Sequence, residues 1–220
     1  MNLNKSREYF DPSKFKDEIH IIGCGAIGSA VAELLARLGV ENLHLHDFDK
    51  VETHNIANQM FSEIHVGWPK VKAVHEICYA INPAIKITKH GKWEGQDLKG
   101  YIFMAVDSIE TRKEIAKKHQ YNMDVKGMFD FRMRLTDAQH YATTPKNLEL
   151  TKVFLDSMNF TKEEAKEATP MSACNIALSV AYAPRAIVAI GVANFINLVK
   201  NNNLKKFIQF DLENMILDAF

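Results

Sequence analysis

Residues 21–70 read IIGCGAIGSAVAELLARLGVENLHLHDFDKVETHNIANQMFSEIHVGWPK. An apolar strand over residues 19–22, with one histidine in it, runs straight into Gly23-x-Gly25-x-x-Gly28. Apolar positions at helical spacing then extend from Ala30 to Leu38, and Gly39 ends them. A phosphate loop needs this order. Its first glycine permits a tight turn, the second lets backbone approach a phosphate oxygen, and the third lets the helix pack on the strand. The helix start then offers unpaired N–H groups and the positive end of its dipole to an anion. The next strand, Leu43 to His46, is closed by Asp47, nineteen positions after Gly28, where a carboxylate can accept hydrogen bonds from ribose hydroxyls. Taken alone, these residues say nucleotide, most often NAD.

Outward from this stretch, strands and helices keep alternating. Helix spacing is seen over Val71–Ile81 and stops at Asn82-Pro83; short strands come next at Ile85–Thr88 and Tyr101–Val106. Ser108–Gln120 is a charged amphipathic helix that Ser108 can cap, and Val125–Phe131 is the next strand. Arg132–Tyr141 is expected to return antiparallel. Asn147–Met158 and Thr161–Ala168 read as short helices or a mobile crossover, Tyr182–Lys200 as a helix, and Phe207–Phe220 as a final hairpin. The expected fold is α/β and Rossmann-like, a mostly parallel twisted sheet flanked by helices, with antiparallel strands toward the C-terminus. No linker divides the chain, so residues 1–220 are expected to form a single domain with an N-terminal arm at 1–17 and a crossover near 142–175. The loop from Lys50 to Trp68 is long for such a unit, which usually marks function.

Composition narrows the function. The 220 residues are 47% hydrophobic and 25% charged, as in an ordinary globular protein. Lys+Arg and Asp+Glu are equal at 27 each, so no global charge favours nucleic acid or a membrane surface. Cys24, Cys78 and Cys174 include no C-x-x-C pair, so no structural zinc is expected, and a reduced cytoplasmic setting is the simplest fit. The first sixteen residues lack the apolar core of a signal peptide. Ile176–Val199 is apolar, but Pro184, Arg185, Asn194 and Asn197 break it into pieces shorter than the roughly 20 residues of a membrane span, so it reads as a buried helix.

The segment after Asp47 changes the reading. Asp47-x-Asp49-x-Val51-x-x-x-Asn55-x-x-Asn58-Gln59, then Gly67-x-x-Lys70, resembles the signature of ThiF- and MoeB-type adenylyltransferases of the ubiquitin-activating-enzyme superfamily. That pattern runs D-x-D-x-V-x-x-x-N-L-x-R-Q and then G-x-x-K. Downstream, Phe103-Met-Ala-Val-Asp107 with Arg112 five positions on matches the family's strand ending in an aspartate. The resemblance covers about Ile19 to Arg112 and thins beyond.

It implies a reaction in which the C-terminal carboxylate of a ubiquitin-like or sulfur-carrier protein, usually a Gly-Gly end, attacks the α-phosphate of ATP to give an acyl adenylate and pyrophosphate. An anion must then approach an anionic phosphate, so the site needs positive charge where charge builds up. On this resemblance Lys70 is the fixed cation and Asp107 the ligand for Mg²⁺, with Asp49 assisting through a water. Asn55 donates to a phosphate and Asp47 holds the ribose. No general base is required, because the carboxylate is already ionised at neutral pH. Each residue also has a plainer reading. Lys70 could be a solvated lysine, although a cation at a helix start opposes the dipole. Asp107 could be an N-cap, although Ser108 already serves. Arg112 reads as an ion-pair tie between elements.

One position departs from the pattern. Asn58 stands where the family carries an arginine, and it lacks the fork that grips phosphate in two places. Either another cation substitutes or catalysis is impaired. Arg7 is the candidate, since the family often inserts an N-terminal arginine into the partner subunit's site, which implies a homodimer; the other reading of Arg7 is a solvated residue on a loose terminus. Cys174 lies where some members form a thioester or persulfide, and it is either that nucleophile or a buried, inert thiol. His44, His46, His54 and His65 are spread over a strand and a loop without a ligand spacing, which argues against a metal. Two further readings stay open: an NAD-dependent oxidoreductase, which leaves Asn55, Lys70 and Asp107 unexplained, and a non-catalytic subunit, for which Asn58 speaks.

Overall fold

A strand covered on both faces is mostly apolar, and the strand ahead of the glycine turn, three isoleucines and His20, is buried at all four positions. It is β1 (Ile19–Ile22) in a computed structural model that describes residues 1–172, 178–201 and 203–220. Helix α1 (Ala26–Arg37) comes next, then β2 (Asn42–His46), α2 (Lys70–Ile81), β3 (Lys86–His90), β4 (Gly100–Met104), α3 (Ile109–His119) and β5 (Val125–Met133). The chain continues through β6 (Asp137–Thr143), α4 (Leu148–Asp156), α5 (Lys162–Glu167), α6 (Tyr182–Asn201), β7 (Phe207–Asp211) and β8 (Ile216–Ala219).

The strands form one eight-stranded sheet in the order β3-β2-β1-β4-β5-β6-β7-β8. The first five in that order are mutually parallel, and β6, β7 and β8 are antiparallel, as expected. The chain starts at β1, winds outward to β3, then returns to lay β4 on the other side of β1. That reversal opens a crevice at the carboxyl ends of β1 and β4, the place where open α/β sheets bind ligands.

Helix α1 begins four residues ahead of the expected Ala30, with Gly25 as its N-cap. The last glycine of the motif therefore lies inside the first helical turn. A Cβ on Gly28 would fall 1.8 Å from the Gly23 carbonyl oxygen, so only hydrogen lets helix and strand meet this closely. Ile19, Ile21, Leu43 and Leu45 face a core completed by α1, α2 and α6, with Phe195 of α6 edge-on to Phe103 at 5.4 Å and to Phe129 at 5.6 Å. The opposite face joins Ile22, Ile102 and Met104 to Ile109 and Ile115 of α3 and to Phe154 of α4. Helix α6 is long and apolar enough to cross a membrane, but 56% of its apolar window is buried within the fold, so the burial expected of it is met.

The N-terminal arm packs at the far end of α1. A Cβ on Gly39, just past that helix, would meet Leu3 at 2.6 Å and Pro12 at 2.8 Å, and Lys200 at the end of α6 stands 3.3 Å from the Tyr9 ring.

Candidate active site

Three adjacent parallel strands bring their carboxyl ends together, and Gly23, Asp47 and Asp107 lie just past those ends. Gly23 has a φ of +92°, and a Cβ there would lie 2.6 Å from the Ala105 carbonyl oxygen, so the glycine turn is pressed against the chain leaving β4. Gly25 has nothing within 4 Å of its would-be Cβ and leads into the N–H groups of α1. The backbone is open there, as phosphate approach requires. From the other side Asp47 accepts from the Cys24 N–H at 2.6 Å and from the Asp49 N–H at 2.7 Å. Its carboxylate thus braces the glycine turn and shapes the D-x-D turn. Burial pushes the Asp47 carboxyl above the ordinary carboxylate range, against these two N–H groups and the positive charge of Lys70, which favour the anion.

The long loop after Asp49 closes on itself. The Val51 N–H donates to the Trp68 carbonyl at 2.9 Å, the Gly67 N–H donates to the Val51 carbonyl at 2.8 Å, and Lys50 bridges Pro69. Gly67, with a φ of +84°, makes the turn that such a closure needs. Lys70 is thereby set at the first position of α2, with its N–H donating to the Asp49 carbonyl at 2.9 Å and its Nζ 2.8 Å from Asp49 Oδ2. Its side chain is 10% exposed, so one cation is held at the mouth of the crevice. The cost of a cation at a helix start is met by the carboxylate beside it.

Asn55 is buried, and its Oδ1 accepts from the Glu52 N–H at 3.0 Å, which leaves Nδ2 without a partner among the described residues. Ser29 of α1 holds the end of the same loop by accepting from the Met60 N–H at 3.3 Å. Asn58 and Gln59 are thus laid beside the first turn of α1. Asn58 Nδ2 donates to Ser179 Oγ at 2.8 Å, while Asn58 Oδ1 and Gln59 Oε1 are buried acceptors without a donor among the described residues. Such atoms are costly to leave unpaired and suit a ligand that donates.

Asp107 is exposed just past β4 and its carboxylate makes no hydrogen bond or ion pair among the described residues. Ser108 takes the N-cap, accepting from the Thr111 N–H at 3.1 Å. The position of Asp107 is fixed from behind: the Arg112 guanidinium donates to the Val106 carbonyl and to Asp130, a fully buried carboxylate that also accepts from Arg132 Nε at 2.6 Å. Burial alone would raise the Asp130 pKa, yet the two guanidinium groups hold it below the ordinary value. Arg132 in turn donates to the Ser157 carbonyl at 2.7 Å, which ties the end of α4 to the sheet. Arg112 is the expected ion-pair tie. Asp130 and Arg132 carried no sequence signal.

One expected site residue is elsewhere. Arg7 is exposed, 3.6 Å from Asp11, and its N–H donates to the Leu3 carbonyl in the arm packed beyond the far end of α1. Twelve helical residues place it about 18 Å from the glycine turn of its own chain. With the arm in this place, Arg7 does not reach the crevice of its own chain. Cys174 lies outside the described residues.

The histidines differ from expectation. His54 and His65 stay apart in the loop, but His20, His44, His46 and His90 gather on one face of β1, β2 and β3, His20 opposite His44 and His46 opposite His90. The alternation His44-x-His46 was the available signal, since alternate strand residues share a face.

The family model described as ThiF family matches residues 14–220. The chain is 38% identical over 117 residues to ubiquitin-like modifier-activating enzyme 5 of Rattus norvegicus, covering 44% of this chain and 29% of that one. It is 35% identical over 81 residues to the enzyme of the same name from Caenorhabditis briggsae, covering 36% and 19%. The matched segments thus span less than a third of these two relatives. Among solved structures, E. coli MccB with MccA aligns over 100% of this chain and 72% of that one at a TM-score of 0.75 and 18% identity. E. coli MccB with ATP aligns over 93% and 63% at a TM-score of 0.71 and 17% identity. At such identities the two structures speak for the fold.

Proposed function

Because the chain belongs to the ThiF family, we propose that it adenylates the C-terminal carboxylate of a ubiquitin-like or sulfur-carrier protein ending in Gly-Gly, using ATP and releasing pyrophosphate. The observation that carries this reading is the Lys70–Asp49 pair, 2.8 Å apart, on the same crevice as the open Gly25 backbone and the uncommitted Asp107 carboxylate. A dinucleotide site of the NAD type has no use for that cation and that free carboxylate.

Position sets the roles. The N–H groups of the first turn of α1 and the Lys70 ammonium take phosphate oxygens, Asn55 Nδ2 offers a further donor, and Asp47 accepts from the ribose. Asp107, with Asp49 at one remove, fits a magnesium ion, which when bound neutralises phosphate charge. A carboxylate oxygen of the carrier attacks the α-phosphorus as the bond to the pyrophosphate oxygen breaks. No proton has to move at the attacking group, so the protein contributes orientation and positive charge.

Asn58 leaves the site one cation short of the family pattern. We assign that cation to Arg7 of a second copy in a homodimer, since Arg7 of the same chain lies at the far end of α1. The second reading, a non-catalytic subunit, rests on Asn58 alone. Calorimetry with ATP and Mg²⁺, and separately with NAD, tests the proposal. The expected result is that ATP binds in preference and that Lys70→Ala weakens it; tight NAD binding, or equal ATP affinity in both proteins, would overturn it.

A further inference from the structure

The face of the sheet away from α1 and α2 carries a second polar constellation, near the amino end of β1. Glu18 precedes that strand, and its Oε2 lies 3.7 Å from His20 Nε2 and 3.9 Å from His44 Nε2. All three atoms lie within 4.8 Å of one another. We propose that Glu18, His20 and His44 form a binding site for a divalent transition-metal ion of the zinc type, distinct from the nucleotide crevice.

The remaining ring nitrogens are paired with other histidines, and the pairing admits the tautomer that a metal needs. His20 Nδ1 is 3.1 Å from His46 Nε2, and His44 Nδ1 is 3.1 Å from His90 Nε2. A proton on each Nδ1 completes both hydrogen bonds and turns the two Nε2 lone pairs toward Glu18. This is the outer support that metal-bound histidines have, the far nitrogen donating to a fixed acceptor so that ring and tautomer are set. His20 is only 5% exposed, and its Nε2 is buried without a hydrogen-bond partner among the described residues. A carboxylate oxygen 3.7 Å away is too distant to supply one. In that tautomer two lone pairs and an anion converge on one point, which suits a cation. Lys99 does not fill that place: its Nζ holds the other carboxylate oxygen, Oε1, at 3.1 Å.

Geometry and donor type select the metal. Ligands about 2.0–2.1 Å from a tetrahedral ion stand roughly 3.4 Å apart, so the two carboxylate–imidazole separations of 3.7 and 3.9 Å must close by about 0.3–0.5 Å and the imidazole–imidazole separation, under 4.8 Å, by no more than about 1.4 Å. Two imidazoles and one carboxylate suit zinc and its neighbours, whereas magnesium and calcium require oxygen throughout. A cleft lined by Glu18, His20, Asp97, Lys99, Asn122 and Asp124 gives an entry path on the Glu18 side. Burial holds His20 down to about 4 and lowers His44 as well, so both rings are neutral, ligand-ready imidazoles at neutral pH. The ion would clip together β1 and β2, the strands that lead into Gly23 and Asp47.

The test is calorimetry of the full chain with zinc chloride in excess Mg²⁺, beside Glu18→Gln, His44→Ala and Asp107→Asn. The expectation is one zinc per chain, weakened by roughly tenfold or more in Glu18→Gln and His44→Ala and unchanged in Asp107→Asn. Cobalt bound in its place should show the visible d–d absorption of a four-coordinate ion. If His44→Ala does not fold, Glu18→Gln decides alone, because that side chain lies outside the strand and is 23% exposed. No zinc binding, or binding equal in wild type and Glu18→Gln, would overturn the proposal.

Discussion

Lys70 and Asp49 are joined twice, by Nζ to Oδ2 at 2.8 Å and by the Lys70 N–H to the Asp49 carbonyl at 2.9 Å. The side-chain pair poises a cation and the backbone pair closes the loop that delivers it. Asp49 is 50% exposed and Lys70 only 10%, so the ammonium can turn to an incoming phosphate while remaining anchored by its own helix. Lys70→Ala should remove a charge-assisted contact worth about 1.5–3 kcal/mol, a loss of roughly ten- to a hundredfold in ATP affinity. Calorimetry with Mg²⁺ present reads this directly, and an unchanged dissociation constant would contradict it.

The distance between Arg7 and its own crevice makes the dimer testable. Light scattering at micromolar concentration should report a dimer. Arg7→Ala should abolish adenylate formation while circular dichroism stays that of the wild type. Asn58→Arg gives up the hydrogen bond to Ser179 and should change activity only modestly. An active wild type indifferent to Arg7→Ala would refute the role given to Arg7 and leave the nucleotide site standing.

Arg112 supports both the fold and the site. Arg112→Ala leaves the fully buried Asp130 with Arg132 alone and removes the donor to the Val106 carbonyl. Breaking a buried pair should cost about 3 kcal/mol, which for a chain of this size lowers the melting temperature by roughly 6–12 °C. Nucleotide binding in Mg²⁺ should weaken as well, because Asp107 comes directly after the released carbonyl. Wild-type melting in this variant would contradict the account.

Buried histidines set the acid limit of stability. Burial lowers His20 to about 4, helped by His44 and His90 and opposed by Glu18; it lowers His46 to about 3, helped by His90, His20 and His44. His140 is lowered to about 4 by burial, against the Asp130 carbonyl and carboxylate. In the unfolded chain each histidine protonates near 6.5. The unfolded state therefore binds more protons between pH 6.5 and about 4, and stability in that window rises with pH. The stabilisation is complete above 6.5 and should fall on acidification by about 1.4 kcal/mol per pH unit for each uncoupled histidine, His20 and His46 titrating as a linked pair. Urea unfolding at pH 7, 6 and 5 without divalent metal checks the slope, and a flat profile would contradict it.

Adenylation itself needs no thiol. Cys174→Ala should therefore leave pyrophosphate exchange unchanged, whatever later step a thiol there performs, and a loss of exchange with the fold intact would place Cys174 in the adenylation step.

Features that the chain encodes locally could be read from the sequence. Gly23 to Gly28, the D-x-D turn at Asp47 and the Gly67 to Lys70 turn each depend on a few neighbouring residues, and the strand–helix alternation ordered them along one sheet edge. The start of α1 was missed because its first turn is made of the glycine motif rather than of periodic apolar residues. Asp130 and Arg132 were missed because a buried charge is compensated across elements distant in sequence. The histidine group depends on strand register: His20 meets His44, and His46 meets His90, only once β1, β2 and β3 are paired. Arg7 was legible as a candidate cation, but its distance from its own crevice depends on where the arm packs.

The most direct measurement is ATP–pyrophosphate exchange with a small carrier protein ending in a free Gly-Gly carboxylate, beside the same carrier ending in a carboxamide. Exchange should require the free carboxylate and fall by roughly a hundredfold or more in Lys70→Ala. Exchange indifferent to both the carboxylate and Lys70, or no exchange together with tight NAD binding, would contradict this.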